Sequence, residues 1–371
     1  MPVNFAIVCV TNDLTTDQRV DRTCLTLTDV GFSVVLVGRK QKQSLPLKPR
    51  AYQLHRMRLG FNKGPLFYAN YNLRLFFYLL THKSTLIVSN DLDTLPACYL
   101  AAVFKRVRLL HDCHEYFRGV PELVGRKATR RIWKWIEDRI FPKLNLVTAV
   151  NASIAKLYSE EYGNAIVVIR NVPFRKSGGE AIPKESLGIL PHQKVILYQG
   201  AVNLDRGLEE AILAMKFLRC DARLVIAGTG DKFEELQEFV TKEKVPGKVI
   251  FTGQIPFQEL YHYTLMADIG LSIEKDVSLN YHFALPNKFL DYIQANVPVL
   301  ISPFPEMKAI LDHYFIGEVI ENHDPEHIAA KIDGMLLNEA RLELFHKNLL
   351  RAAEELCWEK EAPTLREMVR T

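Results

Sequence analysis

The chain contains few cysteines, and none of them is spaced like a metal-binding or redox pair. Six cysteines are scattered over 371 residues without a CxxC pair, which favours a reducing compartment and disfavours a zinc site. The start of the sequence does not look like a secretory leader, and no uninterrupted apolar run approaches the ~18 residues of a membrane span. We therefore expect a cytoplasmic protein with no membrane-spanning helix.

The whole chain also lacks a large excess of positive or negative charge, because its net charge is only +4. The two halves differ nevertheless: residues 1–170 carry 25 Lys and Arg against 13 Asp and Glu, and residues 171–371 carry 22 against 30. A basic half beside an acidic half indicates that one half meets an anionic surface. The basic residues form no recognised nucleic-acid motif, so we expect no nucleic-acid partner.

One basic segment, Arg126–Phe141, has helical periodicity. An apolar face surrounded by Lys and Arg is predicted at Ala128, Ile132, Ile136 and Ile140. Such a helix can lie on an anionic bilayer, as a peripheral attachment to the inner face of the membrane. It can equally cover a sheet and keep a solvated basic side, and the sequence leaves both interpretations open.

Short apolar runs alternate with helical patterns along the whole chain. This alternation is typical of parallel sheets that are covered by helices on both faces. The segment Asn171–Gln193, rich in Pro, Gly and charge, interrupts the series and is interpreted as a linker. The sequence therefore predicts an α/β fold with two doubly wound domains, at residues 1–172 and 190–345, and a final segment at 346–371. In such sheets ligands bind beyond the carboxyl ends of the strands.

The segment Leu271–Leu300 predicts a buried strand, a long polar loop, a helix that begins at Asn287, and a second buried strand. Helix starts carry unpaired N–H groups and a positive dipole end, so they favour anions. Lys288 adds a cation there, and Asp291 follows one turn later. This arrangement suits a ligand whose diphosphate lies on the helix start and whose ribose meets the carboxylate. The alternative is an ordinary strand–loop–helix with a solvent-facing lysine.

The loop Gly200–Gly207 is a second candidate for phosphate binding. Gly200 ends an apolar strand, where a glycine lets a ligand approach the backbone, and Arg206 stands at a helix start. A guanidinium can fork onto phosphate oxygens. The alternative is a surface arginine near a helix cap.

Two strand ends in the basic half carry clustered histidines and acids. His111 and His114 follow one strand, and Asp91 and Asp93 follow the strand before it. No further ligands are spaced to complete a metal site, so we expect no bound metal. We interpret Asp91 and Asp93 as helix-capping acids, and His111 as a histidine packed at a strand end.

The loop after the first strand carries three charged candidates, Asp13, Asp17 and Arg19. They lie at the carboxyl end of a strand, where a second substrate would meet the sheet. Helix capping and local ion pairs explain the same residues equally well, so both interpretations stay open.

The run Asp291-Tyr-Ile-Gln-Ala-Asn-Val-Pro298-Val resembles the sugar-nucleotide site of GT-B glycosyltransferases, in particular retaining family 4 (glycosyl transferases group 1). Members typically carry two glutamates eight positions apart; Asp291 matches the second, whereas Phe283 stands at the first. They also carry an Arg and a Lys in the glycine loop, where Ala201 replaces the first and Arg206 matches the second. The resemblance covers essentially the whole chain and is strongest over residues 194–305.

The resemblance implies a GT-B fold, in which two Rossmann-like domains face an interdomain cleft and the last helix crosses back to the first domain. It implies metal-independent transfer of a sugar, with retention of configuration, from a nucleoside-diphosphate donor to a glycan or lipid-linked acceptor. Cell-surface polysaccharide synthesis is the expected setting, and no cofactor is expected beyond the donor substrate.

The same resemblance assigns roles to individual residues. Arg206 and Lys288 would bind the diphosphate and stabilise it as it leaves, beside the backbone of Gly200 and Asn287. The remaining implied roles are ribose binding by Asp291, sugar contact by His114, base-side contact by Gly253 and Gln254, and acceptor contact by Asp13, Asp17 and Arg19.

Two other functions remain open. A sugar-nucleotide epimerase with the same fold needs acid and base groups near the sugar but no acceptor. A binding protein with a degenerate site is the other, because Phe283 and Ala201 depart from the family pattern.

Overall fold

Helices and parallel strands alternate through both halves of the chain, as the sequence predicts. The computed structural model describes residues 4–370 except residues 16, 43, 121, 122, 124 and 246. Two units are formed, one by Met1–Asn171 with Glu361–Thr371 and the other by Val172–Lys360. Each unit contains one sheet, and every neighbouring pair of strands in it is parallel.

The first unit has the strand order β3-β2-β1-β4-β5-β6-β7. Its strands are β1 (Asn4–Cys9), β2 (Phe32–Arg39), β3 (Gln53–Met57), β4 (Leu86–Asn90), β5 (Arg108–Cys113), β6 (Leu146–Ala149) and β7 (Val167–Val168). Its helices are α1 (Gln18–Asp29), α2 (Gly64–Thr81), α3 (Asp91–Lys105), α4 (Lys127–Ile140) and α5 (Ala152–Tyr162). The chain order reverses between β1 and β4, which is the switch point where such sheets bind ligands.

The second unit repeats the pattern, with the strand order β10-β9-β8-β11-β12-β13. Its strands are β8 (Lys194–Gln199), β9 (Ala222–Ala227), β10 (Val249–Gly253), β11 (Ile269–Ser272), β12 (Val299–Ile301) and β13 (Gly317–Val319). Its helices are α6 (Leu208–Ala214), α7 (Phe233–Lys242), α8 (Phe257–Leu265), α9 (Leu279–His282), α10 (Asn287–Gln294), α11 (Pro305–Tyr314), α12 (Pro325–Leu336) and α13 (Glu339–Glu355). The switch point lies between β8 and β11.

The last helix, α14 (Trp358–Arg370), begins in the second unit, and from Glu361 onward its residues belong to the first. Within the first unit, Glu361 Oε1 lies 2.7 Å from the Arg170 guanidinium. Arg108, at the start of β5, donates hydrogen bonds to the carbonyls of Met368 and Val369 at 2.6 and 2.7 Å. Those carbonyls are in the last turn of α14, where helix carbonyls lack intrahelical partners.

The central strands form because their residues can be buried on both faces. All five residues of β4 are buried, and in β8 only the first residue is not; parallel sheets covered on both sides require such apolar runs. Helix α1 begins where Asp17 accepts a hydrogen bond from the Val20 N–H at 3.1 Å. The segment 171–193, all of which is described, has one short 3-10 turn at Lys184–Leu187 and no longer regular element.

Two elements differ from the sequence interpretation. β3 is an edge strand with the sequence QLHRM and only one buried residue, so its polar composition hides it. The apolar stretch that becomes α2 carries four buried residues at intervals of four, from Phe67 to Leu79, and it packs against α3. Among the described residues, no helix is both long and apolar enough to cross a bilayer.

Candidate functional site

In the second unit, two loops meet beside the switch point of the sheet. The loop Gly200–Gly207 follows β8, and the loop that follows β11 lies next to it. Gly207 has φ +72°, and a Cβ there would lie 2.2 Å from the carbonyl oxygen of Ile273. The Lys275 N–H donates to the Asp205 carbonyl at 2.9 Å. Only glycine allows this close approach, which fixes the two loops side by side.

The loops bring two cations onto one buried carboxylate. Glu274, the second residue after β11, is only 2% exposed and forms an ion pair through Oε1 with the Lys288 Nζ. A guanidinium nitrogen of Arg206 lies 3.8 Å from the same oxygen. Ser272 Oγ donates to the other carboxylate oxygen at 3.0 Å. Two positive charges and one negative charge are thus concentrated at the carboxyl ends of β8 and β11.

Aromatic rings hold both cations in place. Lys288 Nζ lies 3.9 Å from the centre of the Tyr198 ring, and the Arg206 guanidinium carbon lies 4.9 Å from that of Tyr281. The Lys288 residue is only 8% exposed, so the alternative of a solvent-facing lysine is wrong. Burial lowers the pKa of Lys288, and Glu274 opposes that shift.

The charge of Glu274 is maintained by its neighbours. Burial alone would raise the pKa of this carboxyl group, but Lys288 and Arg206 outweigh burial and hold the pKa below its usual value. Glu274 is therefore ionised at neutral pH beside Lys288 and Arg206, two side chains that suit an anionic ligand. The sequence interpretation missed Glu274, although a carboxylate two residues beyond a wholly buried strand was a signal for it.

Helix α10 begins at Asn287, as predicted, with Pro286 as its N-cap residue. Asp291 lies on its next turn, where Oδ1 is 3.5 Å from Lys176 Nζ and Oδ2 accepts from Gln199 Nε2 at 3.4 Å. The helix is fixed to the sheet by Tyr292, whose hydroxyl donates to the carbonyl of Leu197 at 3.0 Å. The predicted phosphate and ribose positions thus lie on one anchored helix.

Gly228, in the loop after β9, allows two backbone segments to pack closely. Gly200 has φ +129°, and a Cβ on Gly228 would lie 1.9 Å from the Gly200 carbonyl oxygen. The loop after β9 is therefore pressed against the loop after β8. Gly253, with φ +70°, ends β10, and the exposed Gln254 follows it. A base-side role for Gly253 and Gln254 stays a prediction.

In the first unit, His114 lies at the end of β5 among acceptor oxygens from β4 and β5. Its Nε2 is 3.0 Å from Asn90 Oδ1 and 3.1 Å from Asp112 Oδ2. Its Nδ1 is 3.6 Å from Asp91 Oδ2, and its backbone N–H donates to Asp91 Oδ1 at 2.9 Å. Acceptor oxygens at both ring nitrogens favour the doubly protonated imidazolium.

Electrostatics agree with a charged His114. Burial on its own would lower the pKa of His114, but Asp91 and Asp112 outweigh it and raise the pKa to about 9. Burial raises the pKa of Asp91 itself to about 8, so at neutral pH the imidazolium depends chiefly on Asp112, whose pKa Arg19 and His114 hold well below its usual value. His111 behaves differently, since burial lowers its pKa to about 4. Its ring packs edge-on against Phe141, with a centroid distance of 5.7 Å. The interpretation of His111 as a packed histidine is confirmed, although β5 continues past it to Cys113.

The interpretation of Asp91 and Asp93 as helix-capping acids is right in placing both in the first turn of α3 but wrong about the capping hydrogen bond. The N-cap position of α3 belongs to Asn90, and no side chain makes the capping hydrogen bond there. Asp91 is turned onto His114 and has φ +57°, a region that non-glycine residues rarely adopt. Asp93 Oδ2 accepts a hydrogen bond from Thr11 Oγ1 at 2.5 Å. The two acids therefore tie neighbouring strand ends together.

The three candidates after β1 have protein partners. Asp17 caps α1, and Asp13 Oδ1 pairs with an Arg56 guanidinium nitrogen at 2.6 Å. Arg19 is buried and binds Asp112 in a bidentate pair at 2.6 and 2.8 Å. This pair positions Asp112 against His114, so Arg19 acts on the histidine indirectly. Contact of Asp13 and Asp17 with an acceptor stays a prediction, whereas the assignment of Arg19 to acceptor contact is wrong because its side chain is buried and its nitrogens are bound to Asp112 and the Ile169 carbonyl.

Among the described residues, no group of three or more His, Cys, Asp or Glu side chains is placed to hold a metal ion.

Comparison with known proteins covers nearly the whole chain. The family model "Glycosyltransferase Family 4" matches residues 17–172, and the model "Glycosyl transferases group 1" matches residues 181–352. An uncharacterized glycosyltransferase of Methanocaldococcus jannaschii is 28% identical over 175 residues, which are 44% of this chain and 43% of that protein. The chain thus spans less than half the length of this curated relative.

Solved structures share the fold over their full length. Sucrose-phosphate synthase from Thermosynechococcus elongatus has a TM-score of 0.80 and 18% identity, and the match covers 99% of this chain and 98% of that one. Anabaena HepE in complex with UDP-glucose has a TM-score of 0.76 and 13% identity, with 99% of each chain covered. The two parallel sheets with flanking helices are those of the GT-B fold, and this chain belongs to the group 1 glycosyltransferases of that fold.

Proposed function

We propose that this protein transfers a sugar, with retention of configuration, from a nucleoside-diphosphate donor to a glycan or lipid-linked acceptor. One observation carries the proposal. Arg206 and Lys288 both lie against the buried carboxylate of Glu274, and Asp291 follows Lys288 by one turn of α10. Family membership and the UDP-glucose held by a protein of the same fold support a nucleotide-sugar donor.

The charge cluster suits the chemistry of a departing diphosphate. Breaking the bond between sugar and phosphate leaves negative charge on the diphosphate, and preorganised cations in a dry site stabilise that charge strongly. Lys288 is buried and held by Glu274 and Tyr198, so it need not reorganise during the reaction. The start of α10 adds unpaired N–H groups to the same place.

Glu274 acts as a positioning residue for the two cations. Without a carboxylate between them, Arg206 and Lys288 would repel each other, and burial would favour the neutral form of the lysine. Phe283, which replaces the usual first acid, lies directly after α9 and is partly buried. We propose that the donor sugar is therefore held differently from the usual family pattern, without a carboxylate at that position.

In the first unit, we propose that the His114 imidazolium faces the donor sugar. Asp91, Asp112 and Asn90 occupy its ring nitrogens, so it acts through its positive charge and its position rather than as a proton carrier. The excess of basic residues in the first half supports an anionic acceptor, such as a lipid-linked phosphate. A place in the cytoplasm, at the inner face of the membrane, in cell-surface polysaccharide synthesis fits such an acceptor.

Removing the Arg206 side chain should weaken donor binding. The change Arg206→Ala removes a charge-assisted pair worth ~1.5–3 kcal/mol, so the Kd for the donor should rise about 10- to 100-fold. Calorimetric titration of donor into both proteins measures this. Arg351→Ala, at a mostly exposed position in α13 of the same unit, is the matched control. Equal affinities for wild-type and Arg206→Ala protein would remove Arg206 from the site.

Turnover should persist in EDTA. Arg206, Lys288 and the start of α10 supply the positive charge that a divalent cation would otherwise bring to the leaving diphosphate. The measurement compares kcat before and after dialysis against EDTA, with Mn²⁺ added back as the control. Loss of activity that Mn²⁺ restores would contradict metal independence and direct attention to Asp91 and Asp93.

The same assays separate the alternative functions. Donor conversion without any acceptor other than water would indicate an epimerase or a hydrolase. Donor binding without turnover in any membrane extract would indicate a binding protein, as the departures at Phe283 and Ala201 allow.

A further inference from the structure

The outer side of the first unit exposes a continuous group of large apolar side chains on α2 and α3. Val103 and Phe104 are 57% and 71% exposed, and Leu100 lies one turn before them. Leu73 and Phe77, four residues apart on α2, are each 57% exposed. Phe76 joins the two groups, since its ring centre lies 5.7 Å from that of Phe77 and 5.9 Å from that of Phe104. We call these five exposed residues the α2–α3 face; apolar patches of this kind mark interaction sites.

A cationic cavity adjoins the α2–α3 face at the amino ends of β5 and β6. The cavity has a volume of about 610 Å³, and Val103 of the α2–α3 face forms part of its wall. Arg106, Arg108 and Lys143 also line it, together with Tyr99. Arg106 and Lys143 form no ion pair with any carboxylate in the part of the chain that the structure describes.

This cavity is separate from His114. Arg108 begins β5 and His114 follows its last residue, so the length of the strand, about 17 Å, lies between them. Arg108 already donates to the carbonyls of Met368 and Val369, which leaves Arg106 and Lys143 as the cations available to a ligand.

The charge of this region identifies the kind of partner. From residue 61 to residue 111 the only acidic residues are Asp91 and Asp93, whereas six residues are Lys or Arg. The side chains of both acids bind partners at the carboxyl ends of the strands, opposite the cavity. A surface that combines apolar side chains with positive charge and lacks negative charge complements an anionic bilayer.

In helix α4, which the sequence singled out for this role, the predicted apolar face contains no buried residue: Ala128 and Ile132 are exposed, and Ile136 and Ile140 are partly buried. Trp133 and Glu137 are its buried residues, whereas Trp135 is exposed together with Ile132. Lys134 is already engaged by Asp138 and Glu161. Helix α4 packs against α3, and it is the alternative membrane-facing element that the vesicle experiment distinguishes from the α2–α3 face.

We propose that the α2–α3 face docks on an anionic membrane, with a phospholipid phosphate held in the cavity by Arg106 and Lys143. The apolar side chains would enter the region below the headgroups. This site lies at the amino ends of β5 and β6, whereas His114 lies at the carboxyl end of β5. The proposal therefore does not depend on the donor chemistry.

Vesicle sedimentation tests the proposal with the full-length protein. Wild-type protein should bind vesicles of phosphatidylcholine mixed with phosphatidylserine at low salt, bind pure phosphatidylcholine poorly, and be released by high salt. Each basic residue near an anionic surface contributes about 1 kcal/mol, so Arg106→Gln with Lys143→Gln should weaken binding about 30-fold. Val103→Ser with Phe104→Ser should weaken it by about tenfold or more, because apolar insertion is lost.

A matched variant controls for net charge. Lys40→Gln with Lys42→Gln removes two charges from exposed positions after β2, at the carboxyl edge of the same sheet, and should change binding by less than about threefold. Circular dichroism and activity toward a soluble acceptor should be unchanged in the Arg106/Lys143 and Val103/Phe104 variants.

Four outcomes would overturn the proposal. The first is wild-type protein that stays in the supernatant at low salt. The second is undiminished binding in both the Arg106/Lys143 and the Val103/Phe104 variants, with loss only when Arg126, Lys127, Arg130 and Arg131 become glutamine. The third is stabilisation by inorganic phosphate or glycerol phosphate without vesicle binding. The fourth is a dimer that Val103→Ser with Phe104→Ser dissociates in the absence of lipid.

Discussion

Replacing Lys288 by methionine should lower kcat by about 10²- to 10³-fold, the loss that follows removal of one preorganised group that stabilises developing negative charge. The ammonium lies in a buried position between Glu274 and the Tyr198 ring, where water cannot replace it. Donor affinity should fall less than kcat, because charge on the diphosphate grows as the bond to the sugar breaks. Single-turnover kinetics with saturating donor measure the change.

The same substitution leaves Glu274 buried without its closest cation, so it should also destabilise the second unit. Breaking a buried pair by removing one partner costs roughly 3–5 kcal/mol. The double variant Lys288→Met with Glu274→Gln removes both charges and should recover most of the stability, but not the activity. If the double variant recovered kcat as well, the lysine would be a structural residue, and its role at the leaving group would be refuted.

His114→Ala should lower turnover by about 100-fold or more, while the affinity for the nucleoside diphosphate changes little. The histidine is held by Asp91, Asp112 and Asn90 at the carboxyl end of β5, which fixes its charge and orientation. His111→Ala is the matched control, since that ring is buried beside Phe141. It should lower the free energy of unfolding but leave kcat per folded molecule nearly unchanged.

The charge of His114 gives the prediction a pH signature. Burial would lower its pKa, but Asp91 and Asp112 raise it to about 9, so the imidazolium persists through neutral pH. Turnover should therefore fall as pH rises through about 9, where the ring loses its proton. The residual activity of His114→Ala should lack this fall. If turnover of His114→Ala still fell as pH rose through about 9, the assignment of this role to His114 would be wrong. It would also be wrong if His111→Ala lowered turnover more than His114→Ala does.

The strands were predictable where burial on both faces leaves a run of apolar residues. β4 and β8 are of this kind, since every residue of β4 and all but the first residue of β8 are buried. β3 was missed because it is an edge strand, with the sequence QLHRM, and pairs with a neighbouring strand on one side only. Such a strand need not be apolar. Local sequence patterns indicate which residues are buried, and β3 has only one buried residue.

Much of the site was predictable from the chemistry of helix starts. The start of α10 at Asn287, the cation at Lys288 and the acid at Asp291 follow from one stretch of sequence. Glu274 was not predictable in the same way, because its importance comes from the contact of two loops. Gly207 beside Ile273 makes that contact possible, and sequence spacing does not contain it.

The partners of His114 show the same limit. Asp91 and His114 are 23 residues apart, and only the pairing of β4 with β5 brings them together. Without that pairing, Asp91 looks like an ordinary acid in the first turn of a helix. Its positive φ and its turn toward the histidine are tertiary features that no local propensity encodes.

The central claim is that Arg206, Lys288 and Asp291 form a nucleotide-sugar site in the second unit. Thermal unfolding in a panel of UDP, GDP, ADP and CMP sugars tests it most directly, because a ligand that binds the folded protein raises its apparent stability by mass action. One nucleotide class should raise Tm, and that rise should be lost in Arg206→Ala and in the double variant Lys288→Met with Glu274→Gln, but kept in Arg351→Ala. A panel in which no nucleotide sugar raises Tm, or a rise that is the same in all four proteins, would contradict the account.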